Sequence, residues 1–433
     1  MPDGEDRPAL LVVFPDVGLD TLGGERVRKL TAAFDERGWR LIGLAPPERD
    51  YISSHARWPD SLVVHRTFDL NPWSLGISVK RRLRGGTVTP TPHGGQARAG
   101  DKPAASAVEG MTKAALQRLW PHPLTGWVPF AVARGVALAR QERPVAILSS
   151  FPPTASHVVA LALHRLTGLP WIADFRDPWA WSADHGYVWA RPSRATSRAE
   201  AAVLRRATAL TTIGPSLGAE LAQRASREVV VLPHGLPVES AGNVSTSTPS
   251  ERLELVHAGS VDAWSADVAP VARALLRLQE AGISARLTLL GPIAHRPPEL
   301  DRAERLGLVH VAGTVSREEA QRVTAASDVA LLVQMRPSKI WVTTKLWDYL
   351  ASRTPILVAA NPECDAAAIV RETKTGWTVP YDDEDGIVRV LSDADERRRH
   401  GETLWEPDAD ALRRYDAMTI SRRFVELLNG LRP

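Results

Sequence analysis

At 433 residues the chain exceeds what one ordinary core holds, so two α/β domains are the natural division. An apolar fraction of 44% and a charged fraction of 24% exclude a disordered or membrane-embedded class, and a formal charge of +3 gives no argument for a nucleic-acid partner. The single cysteine, Cys364, excludes an intramolecular disulfide and any multi-cysteine metal site.

The basic residues are almost all arginine. Only seven lysines occur, which singles out Lys339 and Lys345, six positions apart. The acidic start MPDGEDRP runs directly into LLVVF, which is too short for a signal-peptide core and reads as a first buried strand. No stretch approaches the ~20 apolar residues of a membrane helix, so a cytoplasmic protein is expected.

In chain order, Leu10 to Phe14 predicts a strand, PDVGLDTLGGE a Gly-rich loop, and Val27, Leu30 and Phe34 one face of a helix closed by Gly38. Arg40 to Leu44 starts the next strand, and this βαβ opening predicts an open parallel sheet. Residues 71–126 are rich in Pro, Gly and Arg, and read as a mobile basic insert with a helix from Val108 to Trp120. A helix over Phe130–Arg140 follows, then the strand VAILSS, a helix through His157 to Leu166, the strand PWIADF, the loop RDPWAW, a helix over 193–206 and the strand ATALTTI. The helix at 216–224 and the strand EVVVLP end this half.

HGLPVESAGNVSTSTPSER reads as a linker. The same grammar then restarts: LELVHAGS, a helix over 266–280, ARLTLLGP, LVHVAGTV, REEAQRVTAAS, DVALLVQ, TTKLWDYLAS, TPILVAA and DAAAIVRET. Leu412 to Leu431 predicts a terminal helix. The division expected is 1–235, 236–410 and a terminal helix over 411–433.

Four segments carry a family likeness: FPDVGLDTLGGERVRKL; SSFPPTASHVVALALHRLTGLPWIADFRDPW; TTIGPSLGAEL followed by VVLPHG; and TTKLWDYLASRTPILV. Their order and layout resemble bacterial family 4 glycosyltransferases of the retaining GT-B class. The resemblance implies two Rossmann-like parallel-sheet domains facing a central cleft, with ligands at the carboxyl ends of the strands and the terminal helix crossing back to the first domain. It implies a nucleotide-diphosphate sugar as co-substrate, a hydroxyl acceptor (glycan, lipid-linked or secondary metabolite), retention, and neither metal nor cofactor.

Charge builds on the leaving diphosphate of such a donor, and without metal it must meet helix N-termini, Lys or Arg, and hydroxyls. By resemblance the leading contact is Lys345, with Thr343 and Thr344 at the start of its helix. Its plain alternative is a solvated helix-start lysine. Asp348 falls where the family places a glutamate on the donor ribose, one methylene shorter here. An ordinary exposed helix face is the alternative. The family's earlier glutamate would stand at Ile340, which cannot do that work. Gly259 lets backbone approach the phosphates. No basic residue follows it closely, and Arg336 or Lys339 could substitute, although each also reads as a surface residue.

On the acceptor side the resemblance places Asp174, Arg176 and Asp177 near the reacting sugar, Asp177 toward the acceptor hydroxyl and Arg176 toward phosphate. A structural Asp–Arg pair holding the loop is the alternative. Trp179 and Trp181 suit stacking on a sugar ring or a place in the core. Gly23 and Gly24 would bring backbone N–H groups to the acceptor. His157 suits capping or core as well as catalysis, and His234 a structural role at the hinge. The 71–126 insert could touch anionic lipid or a lipid-linked acceptor. Two other readings stand beside transfer: a degenerate member that binds nucleotide or a partner, and a GT-B sugar-nucleotide epimerase.

Overall fold

The computed structural model describes residues 7–47, 57–70, 124–182, 193–238, 251–263, 266–334, 338–340 and 342–432. Arg336, most of the 71–126 segment and the helix expected over Val108–Trp120 lie outside them. The chain divides into two compact units, one of Met1–Trp179, Ser193–Leu210 and Val425–Pro433, the other of Ala180–Pro192 and Thr211–Phe424.

The first sheet has seven strands in the order β3-β2-β1-β4-β5-β6-β7: β1 Ala9–Val13, β2 Arg40–Ala45, β3 Val63–Arg66, β4 Ala146–Phe151, β5 Trp171–Phe175, β6 Ala209–Thr212 and β7 Val230–Val231. Neighbours run parallel, with Val12 level with Gly43 on one side and Leu148 on the other. Such a strand is covered on both faces, which is why ALLVV is an unbroken apolar run, buried at every position. Full burial of each Leu or Val contributes roughly 1.5–3 kcal/mol. The helices Leu22–Leu30, Val128–Glu142, Thr154–Thr167 and Arg194–Arg206 supply crossovers.

The second sheet has six strands in the order β10-β9-β8-β11-β12-β13: β8 Leu253–Ala258, β9 Ala285–Leu290, β10 Val309–Gly313, β11 Val329–Val333, β12 Ile356–Ala359 and β13 Gly376–Val379. It too is parallel. Alternate residues of β11 enter different cores: Val329, Leu331 and Val333 join one, Ala330 and Leu332 the one shared with the helix Thr344–Ala351. In both sheets strand order reverses beside the first strand of the half, between β1 and β4 and between β8 and β11. The carboxyl ends at such a reversal are where doubly wound sheets take ligands.

Two expected helices are broken. The first stops at Leu30, and Phe34–Arg37 forms a separate turn closed by Gly38 at φ 70°. Thr31 Oγ1 donates to the Val27 carbonyl at 3.0 Å, tying off the first helix. The terminal helix is Ala409–Arg413 followed by Ala417–Asn429. Asp416 restarts it by accepting the Met418 and Thr419 N–H groups at 2.9 and 3.1 Å. Among the described residues no helix is long and apolar enough to cross a membrane.

Candidate functional site

In the first unit the candidates gather where β1, β4 and β5 end. Asp174 and Arg26 are fully buried. Arg26 Nη2 donates to Asp174 Oδ1 at 2.7 Å and Nε to Oδ2 at 3.3 Å, and Ser150 Oγ donates to Oδ2 at 2.8 Å. Asp174 is therefore engaged by two neighbouring elements, tying the helix Leu22–Leu30 to β4 and β5.

Arg176 folds back on the β4 exit. Its Nε donates to the Phe151 carbonyl at 3.4 Å and its Nη2 to that of Pro152, while the guanidinium stands 5.4 Å from the centre of the Phe14 ring. Burial lowers its pKa against the pull of Asp177, Asp174 and Asp16. Burial pushes the Asp177 carboxyl up to about 6, with Arg176 opposing.

The two glycines serve the same corner. A Cβ on Gly23 would stand 2.8 Å from Phe14 Cζ and 2.9 Å from Asp16 Oδ2, and one on Gly24 would stand 2.3 Å from the Leu19 carbonyl oxygen. The Gly24 N–H donates to the N-cap Thr21 Oγ1 at 2.9 Å, so the group expected to face an acceptor is engaged by the cap.

His157 is wholly buried, with Nδ1 at 2.8 Å from Ser149 Oγ, which also accepts from Trp171 Nε1 at 2.8 Å. Phe151, Phe175 and Trp179 surround the ring, and burial pushes its pKa down to about 3. Trp179 is 1% exposed and stacks on Phe151. Trp181, 5% exposed, lies under the Arg224 guanidinium at 4.2 Å. Of the two readings open for these three rings, the core is where they lie. His234 is buried as well.

The second unit brings Gly259, Lys345, Thr343 and a residue the sequence did not single out, His257, to the carboxyl end of β8. Gly259 has φ +141°, and a Cβ there would stand 2.1 Å from Lys345 Cε. Only glycine allows both that backbone and the passage of the lysine stem across it. Thr343 caps the lysine helix, its Oγ1 accepting the Lys345 N–H at 3.3 Å, and Thr344 is the first helical residue. Lys345 Nζ lies 3.4 Å from His257 Nε2, and His257 Nδ1 lies 3.0 Å from the Leu331 carbonyl on β11. Burial brings the Lys345 pKa down to about 8 while Asp262 raises it. Burial, then Lys345, brings His257 to about 3. Tyr349, one turn on, accepts the Ala258 N–H at 2.8 Å and donates to the Leu331 carbonyl at 3.4 Å, fixing the helix against the end of β8.

The other donor-side candidates are not part of this cluster. Asp348 is paired with Arg317 at 3.2 Å. Lys339 is exposed and paired with Glu363 at 2.5 Å. Ile340 is 4% exposed. Arg26, Ser150, His257 and Tyr349 were missed. For His257 and Arg26 a signal existed in the sequence: a polar residue set within an apolar strand or beside the inward face of a helix needs a partner once buried.

The architecture is that of solved GT-B proteins. Sucrose-phosphate synthase from Thermosynechococcus elongatus superposes with a TM-score of 0.65 at 15% identity, covering 98% of this chain and 99% of that one. Anabaena HepE in complex with UDP gives 0.60 at 14%, covering 98% and 100%. The lipopolysaccharide outer core galactosyltransferase WaaB in its apo form gives 0.56 at 12%, covering 98% and 99%. Two parallel-sheet α/β domains of this kind define the GT-B fold class. More particularly, residues 252–394 match the family described as glycosyl transferases group 1, which supports sugar transfer. That stretch holds His257, Gly259, Lys345 and Asp348. No curated protein sequence matches the chain.

Proposed function

We propose that the chain is a family 4-like retaining glycosyltransferase of the cytoplasm. It moves a sugar from a nucleoside-diphosphate donor to a hydroxyl acceptor and uses no catalytic metal. The observation that carries this reading is the Lys345 ammonium held against Gly259 at the carboxyl end of β8 within the group 1 match. The Anabaena protein, of like fold, is in complex with UDP, and a diphosphate is the group a half-buried ammonium beside bare backbone suits.

In transfer, the bond from the sugar's anomeric carbon to the β-phosphate oxygen breaks and a bond to the acceptor oxygen forms on the same face. The acceptor's proton passes to the leaving phosphate. Lys345 meets the charge that grows there, and one preorganised donor of this kind contributes roughly 2.7–4 kcal/mol in comparable sites. On the acceptor side Asp177, with Arg176 beside it, receives a hydrogen bond from the attacking hydroxyl. A glycan, a lipid-linked sugar or a secondary metabolite would serve as acceptor, and residues 71–126 would be the part that meets a lipid surface.

Thermal-shift measurements with UDP, GDP and dTDP, with and without EDTA, test the reading. One nucleotide should raise Tm by mass action, EDTA should not remove the effect, and Lys345→Ala should. The anomeric configuration of the product, read by NMR, tests retention. No shift with any nucleotide would overturn the proposal. A second reading, a nucleotide-binding member without transfer, draws on the burial of Ile340 and the pairing of Asp348 with Arg317. Binding without turnover of any donor sugar would favour it.

A further inference from the structure

His257 lies within the group 1 match, and its surroundings define a role for it. The Leu331 carbonyl can only accept, so Nδ1 carries the proton and donates at 3.0 Å. Nε2 then keeps its lone pair, and the ammonium of Lys345 lies 3.4 Å from it. A charged imidazole in this place would repel the lysine. Burial and Lys345 keep the ring neutral against the backbone of Leu331 and Ser260, which favour the charged form, and the ammonium beside Nε2 selects the tautomer with the proton on Nδ1. The lysine is confined on its other side as well, because its Cε and Nζ lie over the Cα of Gly259 where no side chain fits. Asp262 is the acidic group that acts on Lys345, and Tyr349 is bound to the backbone of Ala258 and Leu331.

We propose that His257 is a positioning residue for the ligand-binding lysine: its β11-anchored imidazole accepts one N–H of Lys345, fixes the ammonium over Gly259 and leaves two N–H groups for a diphosphate. The anchor matters. Because Leu331 belongs to β11 and His257 to β8, the lysine is tied to both strands at the reversal of strand order. The diphosphate part of the statement rests on the function proposed above.

Two measurements separate the inference from that function. The first follows Lys345 itself, by NMR of protein carrying 13Cε-lysine. Seven lysines make the spectrum tractable, and Lys345→Gln assigns the signal. In His257→Phe the ammonium loses its acceptor, so the Lys345 titration midpoint should fall by at least about half a pH unit. In His257→Gln, whose amide oxygen reaches the place of Nε2, it should return toward the wild-type value. The second measures affinity for UDP, GDP or dTDP, whichever binds, at pH 7. His257→Phe should weaken it about tenfold, as loss of one charge-assisted hydrogen bond implies, with His257→Gln recovering most of it.

An unchanged Lys345 midpoint in His257→Phe overturns the inference whether or not nucleotide binds. A shifted midpoint and weakened affinity, both restored by Gln, support it. A midpoint shifted in His257→Phe, where the wild-type protein binds no nucleotide, supports the His257–Lys345 contact and sinks the donor-site reading.

Discussion

The buried pair of Arg26 and Asp174 decides whether Asp174 belongs to the chemistry or to the frame. Both side chains are 0% exposed, joined by two hydrogen bonds, and Ser150 also donates to the carboxylate. Removing one partner leaves an uncompensated buried charge, which costs about 3–5 kcal/mol. Asp174→Asn would also turn an amide N–H or a weaker oxygen toward the guanidinium. For a unit of this size 1 kcal/mol moves Tm by roughly 2–4 °C, so Asp174→Asn and Arg26→Met should each lower the melting of the first unit by roughly 6–20 °C. The double variant Arg26→Met/Asp174→Leu carries no buried charge and should recover much of the loss.

With two units melting, the assay is differential scanning calorimetry together with hydrogen exchange of peptides over β1, β4 and β5, which assigns the transition. A change below 2 °C in Asp174→Asn, with transfer abolished, would refute the structural reading and return Asp174 to the reacting groups.

Three further outcomes follow from the second unit and the buried histidines. With its pKa near 8, Lys345 is protonated below that pH and loses its charge above it. Nucleotide affinity should therefore fall about tenfold between pH 7 and 9, and the fall should vanish in Lys345→Gln, where the ligand's own titration cancels. His157 and His257 have folded pKa values near 3, below the unfolded 6.5. Their contribution is complete above pH 6.5 and is lost as pH falls, about 2 kcal/mol each by pH 5. Asp177, raised to about 6, acts with the opposite sign below that pH and offsets most of the His157 effect in the same unit. Melting followed against pH should therefore show the second unit, which holds His257, losing stability steadily below pH 6.5 and the first much less. Gly259→Ala puts a Cβ at a φ of +141° and 2.1 Å from Lys345 Cε, and should abolish the nucleotide-induced rise in Tm.

The two-sheet fold was readable because strands covered on both faces are near-continuous apolar runs, as Leu10–Phe14, Val145–Leu148 and Val329–Val333 are. The edges were not. β3 (VVHR) is half exposed and β13 (GWTV) mostly so, and neither has the composition of a buried strand. The site was legible at Lys345 and Gly259, where residue type and place agree. It was not legible at Asp174, whose partner Arg26 lies 148 positions away in sequence, or at His257, whose partners Lys345 and Leu331 lie 88 and 74 positions away. Pairing at such distance is a property of the sheet order, not of any local pattern. Trp179 and Trp181 show the converse: an aromatic in a loop suits a sugar or a core equally, and burial alone separates the two.

The D-x-R-D segment thus contains two aspartates with different fates, and this bears on which of them can act on an acceptor. Asp174 accepts from Arg26 twice and from Ser150 once, and has no exposed surface. Asp177, three residues on and past the end of β5, makes none of those contacts and feels chiefly burial, offset by Arg176. A carboxylate raised to about 6 is ionised at pH 7 and still basic enough to take a hydrogen bond from an attacking hydroxyl. If it serves the acceptor, kcat/KM for transfer should fall about tenfold per unit as pH drops below about 6, and Asp177→Asn should lower kcat/KM while leaving nucleotide affinity at Lys345 unchanged. An unaltered pH profile in Asp177→Asn, with full turnover, would leave the leaving phosphate as the only base and remove Asp177 from the reaction.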